Sequence, residues 1–189
     1  LDYLQRDCFF TGVSEGTIGA DRIIKMMAVK EDQLVIEEKG IYSIENFLSA
    51  RRLMYWQVYL HKTTVSAEKM LINLIQRAKK LAQAGRLFYV TEEMAYFMNH
   101  EVSLADFKND SGLLKKFLEL DDFDIWGAIK LWKNDGDYIL KNISQMLLTR
   151  KLFKINLVNE PFSDLEIDQF RSKALKKLQI PEEDLGYFF

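Results

Sequence analysis

The chain has 189 residues, 48% of them hydrophobic and 13% aromatic, enough apolar material for one sizeable core or two small ones and too much for a disordered tail. Its 26 Lys and Arg against 28 Asp and Glu give a net charge of −2, which argues against a strongly basic nucleic-acid surface but leaves room for a local basic groove. A single cysteine, Cys8, excludes an internal disulfide; with no leader pattern and no apolar run of membrane-spanning length, the chain reads as intracellular.

Nine glycines and two prolines favour long helices over many short strands. Residues 1–10 read as helix interior from the first position and stop at Thr11-Gly12. With no initiator Met, the expectation is a piece of something longer, cut just inside a working site. Gly12, Gly16 and Gly19 mark a loop over 11–19, followed by a short helix over 20–27. Ala28-Val29-Lys30 and Gln33-Leu34-Val35-Ile36-Glu37 flank Glu31-Asp32 as a β-hairpin. From Ser43, read as an N-cap, a helical pattern runs to about Lys62 through Ile44, Phe47, Leu48, Met54, Tyr55, Val58 and Tyr59.

A second long helix is expected over 64–84, carrying Val65, Met70, Leu71, Leu74, Ile75, Ala78 and Leu81 and stopped by Gly85. Thr91 is placed to cap a helix over 92–99 whose first turn holds Glu92 and Glu93. Helices follow over 103–119, with a break near Gly112, and over 122–134 and 136–150. The alternation over 151–158 favours a strand, broken by Asn159-Glu160-Pro161, and Ser163 caps a last helix from Asp164 to Leu178. The closing Gly186-Tyr187-Phe188-Phe189 looks exposed and again suggests truncation. The sum is a mainly α fold with a small hairpin and one extra strand, divided into residues 1–85 and a helical region over 86–189.

One helical face is unusual. At 100° per residue, Arg51, Tyr55, Val58, Tyr59 and Lys62 share about a third of the circumference. Arg offers a planar fork for phosphate oxygens, Lys a movable charge, and Tyr a ring to stack on a base. The set suits a nucleotide better than a sugar or a lipid, but by spacing alone the commoner reading is an amphipathic helix whose cations snorkel past core aromatics. Tyr3 and Asp7, four apart, pair an aromatic ring with a carboxylate as a sugar site would, or form surface decoration.

His61 sits at a helix end where a lone His more often caps or packs than catalyses. His100 receives no role, and two histidines far apart argue against a zinc cluster built from this chain alone. Cys8, before Phe9 and Phe10, reads as a buried inert thiol. Asp121, Asp122 and Asp124 read as capping the next helix rather than holding a cation. Trp126 and Trp132 are core or interface anchors.

Leu-Asp-Tyr-Leu-x-Arg-Asp-x-x-x-Thr-Gly at 1–12, Arg51 and the Tyr59-x-His61-Lys62 block resemble the second half of the HD-domain phosphohydrolases, and most closely the deoxynucleoside triphosphate triphosphohydrolases. Arg150-Lys151-Leu152-Phe153-Lys154 resembles a later block of that family. The resemblance implies that 1–85 is the C-terminal part of a helical HD bundle and 86–189 an HD-associated region. It implies a parent enzyme in which a divalent metal ion, held by two His and two Asp, activates a water that attacks the α-phosphorus and releases triphosphate.

This chain has no His-Asp dipeptide, so catalytic and metal-binding residues are expected outside it, and no metal or catalysis is expected of it alone. What the resemblance carries over is substrate holding. Tyr3 packs on the sugar, Asp7 accepts from the 3′-hydroxyl, Arg51 contacts phosphate and Tyr59 lies at the base, with His61 and Lys62 in the same block. Leu60 and Tyr55 depart from residues seen in some relatives. Arg22, Arg150 and Lys154 resemble positions that bind regulatory nucleotides between subunits. The implied partners are a deoxynucleoside triphosphate substrate and further copies of the chain, with no membrane or nucleic acid, in a cytoplasmic setting. The alternative is a non-catalytic nucleotide-binding or oligomerisation scaffold built on the helices of 103–178.

Overall fold

The computed structural model describes every residue except Leu157, Asn159 and Phe189. It is mainly helical with one two-stranded antiparallel hairpin. By packing, the chain falls into two compact units, residues 1–65 and 66–189.

In the first unit, α1 (Asp2–Thr11) ends where Gly12 adopts φ 71°, a left-handed cap that favours glycine. After a 3₁₀ turn at Ser14–Gly16, α2 spans Ala20–Lys25. Strands β1 (Met27–Lys30) and β2 (Gln33–Ile36) then pair Met27 with Ile36 and Lys30 with Gln33. Their two-residue turn has φ 52° at Glu31 and 57° at Asp32, the primed geometry whose twist matches the strands.

Helix α3 (Ile41–Met54) starts two residues before Ser43, whose expected capping role is therefore absent. A 3₁₀ turn at Glu38–Gly40 leads directly into it, so the helix needs no serine to open it. The core of this unit is Leu4, Cys8, Ile18, Ala20, Ala50 and Met54. It closes over Gly16, where a β-carbon would collide with Cys8 Sγ and stand 2.7 Å from Met54 Cγ.

The helix expected to run unbroken to Lys62 does not. Tyr55–Tyr59 winds as a π-helix, with Leu60 N–H donating to the Tyr55 carbonyl at 2.8 Å. The chain breaks at Leu60-His61, and α4 (Lys62–Gln83) begins afresh. A widened turn of this kind re-aims side chains relative to an α-helix.

In the second unit, Met70, Leu74, Ala78 and Ala82 of α4 recur every four residues and are buried. Gly85, at φ 90°, ends the helix, and Arg86 N–H reaches back to the Leu81 carbonyl at 3.0 Å. Around that stripe pack α5 (Glu92–Asn99), α8 (Asp122–Trp132) and α9 (Tyr138–Leu148), contributing Met94, Met98, Ile129, Trp132, Ile139, Leu140 and Ile143. Thr91 caps α5 as expected, accepting from Met94 N–H. The expected 103–119 helix is two, α6 (Leu104–Asn109) and α7 (Ser111–Leu118), because Asp110 adopts an extended backbone and caps the second. Trp132 is core, whereas Trp126 is 47% exposed.

No strand forms over the described part of 151–158. The Phe153 carbonyl accepts instead from Ser66 Oγ of α4 at 2.8 Å, and Phe153 N–H faces Met70 Sδ at 3.3 Å. Backbone groups satisfied by a helix's side chains need no ladder. The position Leu157 lies outside the described residues. Ser163 opens α10 (Asp164–Leu178) with a reciprocal capping box to Glu166. The closing aromatics are not free in solvent: Tyr187 and Phe188 are half-buried against the second core. Phe188 lies 6.0 Å from the Phe153 ring, and Phe189 is outside the described residues.

Candidate functional site

The first unit brings together five of the chemically interesting side chains. Tyr3 and Asp7 project from one face of α1 because they stand one turn apart. Arg51 comes from the last turn of α3, and Tyr55 and Tyr59 bracket the π-helix. Tyr59 Oη donates to Asp7 Oδ2 at 2.6 Å across 52 residues of chain. Arg51 Nε donates to Tyr3 Oη at 3.3 Å and Arg51 Nη2 to Tyr55 Oη at 3.4 Å, both long. The Arg51 guanidinium also lies 4.9 Å from the Tyr55 ring centre, within cation–π range. The Tyr55 and Tyr59 rings meet edge-on at 5.1 Å, and Tyr3 and Tyr59 stand 6.3 Å apart.

The electrostatics give each group a definite role. Burial first, then the hydrogen bond to Asp7 and its negative charge, push the Tyr59 phenol well above its usual range. Tyr59 is therefore a fixed neutral donor. Because Tyr3 and Tyr55 accept from Arg51, their own hydroxyl protons remain to be donated elsewhere. Hydrogen bonding to Tyr3, the largest cause, raises Arg51 further, so it is always a cation. Asp7 keeps Oδ1 as an acceptor, with Arg6 Nε 3.9 Å away. Tyr3 and Tyr55 are 38% and 37% exposed, so the cluster opens to solvent. It presents one carboxylate acceptor, one cation and two phenolic donors between aromatic faces, a set that can grip a hydroxylated ring beside an anionic group.

Other expected residues fall elsewhere. Lys62 does not extend the stripe: the π turn and the break at Leu60-His61 end the 100° periodicity before it, and Lys62 is exposed at the start of α4. His61 Nδ1 accepts from Thr63 N–H at 3.2 Å, opening α4 where a capping oxygen would otherwise stand. Of the positions expected to hold regulatory nucleotides, Arg22 belongs to the first unit and Arg150 and Lys154 to the second. Arg150 has a left-handed φ of 56° and ends α9, with Lys151 N–H returning to the Met146 carbonyl at 2.9 Å.

Cys8 is buried, and burial, then the charge of Asp7, raises its thiol pKa. His100 stacks on Tyr96 at 4.3 Å. Asp121 caps α8, accepting from Phe123 and Asp124 N–H, and Asp124 bonds back to Asp121 N–H. No group of three or more His, Cys, Asp or Glu among the described residues is placed to hold a metal ion. No helix among the described residues is long and apolar enough to cross a membrane.

Sequence reasoning missed a second polar cluster. In the second unit Arg77 donates to Asp137 Oδ2 at 2.6 Å and to Asp184 Oδ1 at 3.0 Å, with all three side chains largely buried. Asp137 also caps α9 through Ile139 and Leu140 N–H. The only signal was an arginine within the apolar run of α4, which reads as an exposed position until its partners are placed.

Residues 18–88 match the family described as HD associated region. Over 98% of its length the chain is 46% identical to a phosphohydrolase from Bacteroides thetaiotaomicron whose crystal structure is known, with a TM-score of 0.88, and it covers 46% of that protein. It is 36% identical over 154 residues to the uncharacterized protein YwfO of Bacillus subtilis, covering 34% of it. It is 31% identical over 182 residues to an uncharacterized protein of Mycoplasma pneumoniae, covering 42% of it. The chain thus spans less than half the length of these relatives. Residues 18–88 thus resemble an HD-associated region, and the chain shares its fold with the solved phosphohydrolase.

Proposed function

We propose that this chain supplies the substrate-holding side of an HD-type phosphohydrolase acting on deoxynucleoside triphosphates. The observation that carries the reading is the hydrogen bond from Tyr59 to Asp7 within the cluster that also holds Tyr3, Arg51 and Tyr55. Asp7, oriented by Tyr59, accepts a sugar hydroxyl at its open Oδ1. Tyr3 lies under the sugar and Tyr59 at its base side, while Arg51, steadied by two phenols, faces the phosphates. These residues bind and orient the substrate rather than break its bonds.

Nucleotide hydrolysis by the longest natural form, with added divalent cation and a panel of deoxynucleoside triphosphates, ribonucleotides and simple phosphate esters, tests the reading. Triphosphate release from a deoxynucleotide is expected. Cleavage of simple esters alone would reject the substrate. Asp7→Ala is expected to cost about 1.5–3 kcal/mol in kcat/KM for substrates bearing a 3′-hydroxyl, the loss of a charge-assisted hydrogen bond, and much less for 3′-deoxy analogues. An equal loss for both would reject that role for Asp7.

A further inference from the structure

The second unit contains a trough of about 790 Å³ between α4, the segment after α9 and the apolar face of α10. Its walls are Phe153, Ile155, Phe162, Ile167, Phe170 and Phe188. Helix α10 has no fully buried residue, and its Phe170 remains 38% exposed although it meets Phe162 edge-on at 5.8 Å. Three lysines, Lys69, Lys154 and Lys177, line the same space, and no carboxylate among the described residues does. None of the three makes an ion pair with the described residues.

The other polar groups on the lining narrow the ligand. Ser66 Oγ is spent on the Phe153 carbonyl at 2.8 Å, and Asn73 Nδ2 on the Tyr187 carbonyl at 3.0 Å. Groups that would read the edge of a base or the hydroxyls of a sugar are thus largely committed within the protein. What is left is aromatic and aliphatic wall with unpaired ammonium groups and the single side-chain amide of Asn156. An apolar wall takes hydrocarbon, and unpaired cations beside it take an anion.

We propose that this trough binds an amphiphilic anion, a hydrocarbon body carrying a carboxylate or phosphate head that the lysines hold. The site lies wholly within residues 66–189. Titration calorimetry of the protein with decanoate, decyl phosphate and the neutral decanol, each below its micelle concentration, tests it. One of the two anions binds saturably, at least tenfold tighter than decanol, and the better head tells a fatty-acid-like ligand from a phosphorylated one. Lys69→Ala with Lys177→Ala weakens the anion at least tenfold and leaves decanol unchanged, and Phe170→Ala weakens both. All of these positions are exposed, and retained helical circular dichroism shows that the variants fold. Equal binding of decanol and the anions overturns the proposal, as do unaltered affinity in the lysine variant, absence of saturable binding, loss of helical signal during titration, or displacement of decanoate by dATP.

Discussion

Replacing Tyr59 by Phe removes one hydroxyl and keeps the ring against Tyr55 and Tyr3. The lost contact is the 2.6 Å donation to Asp7, a hydrogen bond to a charged acceptor. Such bonds contribute about 1.5–3 kcal/mol. The Asp7 side chain retains 29% exposure, so water reaches the freed oxygen and the low end applies. Tyr59→Phe should therefore cost about 1.5 kcal/mol. Combined with Asp7→Ala in a double-mutant cycle, it should show a coupling of roughly 1 kcal/mol, because the hydroxyl has nothing to donate to once the carboxylate is gone. Urea denaturation followed by circular dichroism measures all four corners. Effects that add to within about 0.5 kcal/mol would show that the bond does not tie α1 to the turn after α3.

The raised pKa of Tyr59 makes a separate prediction. An ordinary phenol ionises at about pH 10, whereas Tyr59 should stay silent there in a titration of phenolate absorbance. Stability from its neutral form is complete below that pH and is lost as pH climbs towards the higher folded value. A phenolate signal near the ordinary value that vanishes in Tyr59→Phe would contradict this. In the second unit, Arg77→Met leaves Asp137 and Asp184 buried without their cation and should cost about 3–5 kcal/mol in chemical denaturation. Burial raises Asp137, but Arg77 and the α9 N–H donors together outweigh it, so the net shift is down. Its contribution is present above the ordinary carboxylate range and is lost as pH falls through the lower folded value; an acid unfolding limb unchanged in Asp137→Asn would refute the assignment. Gly16→Ala forces a β-carbon onto Cys8 and Met54 and should destabilise the first unit by about 1–3 kcal/mol, and a neutral melting temperature would show that the core gives way more easily.

Much of the fold was local enough to be read directly. Gly12 and Gly85 supplied the left-handed caps of α1 and α4, and Thr91, Asp121 and Ser163 opened their helices, because caps depend on residues within one turn. The two-residue hairpin turn and the four-residue spacing of Tyr3 and Asp7 were visible for the same reason. Alternation misled over the described residues of 151–158, because a strand needs a partner that sequence spacing does not reveal, and side chains of α4 engage the Phe153 backbone instead.

The sequence by itself determined a mainly helical chain, several of its caps and the spacing of its tyrosines, Asp7 and Arg51 on helical faces. Tertiary structure decided which of them meet. It joined Asp7 to Tyr59, ended the Arg51 stripe at a π turn before Lys62, turned His61 into the opening contact of α4, and drew Arg77 between Asp137 and Asp184. The reason is range: a cap or a helical face is set by neighbours a few residues away, while a hydrogen bond across 52 or 107 residues exists only once two distant segments have packed.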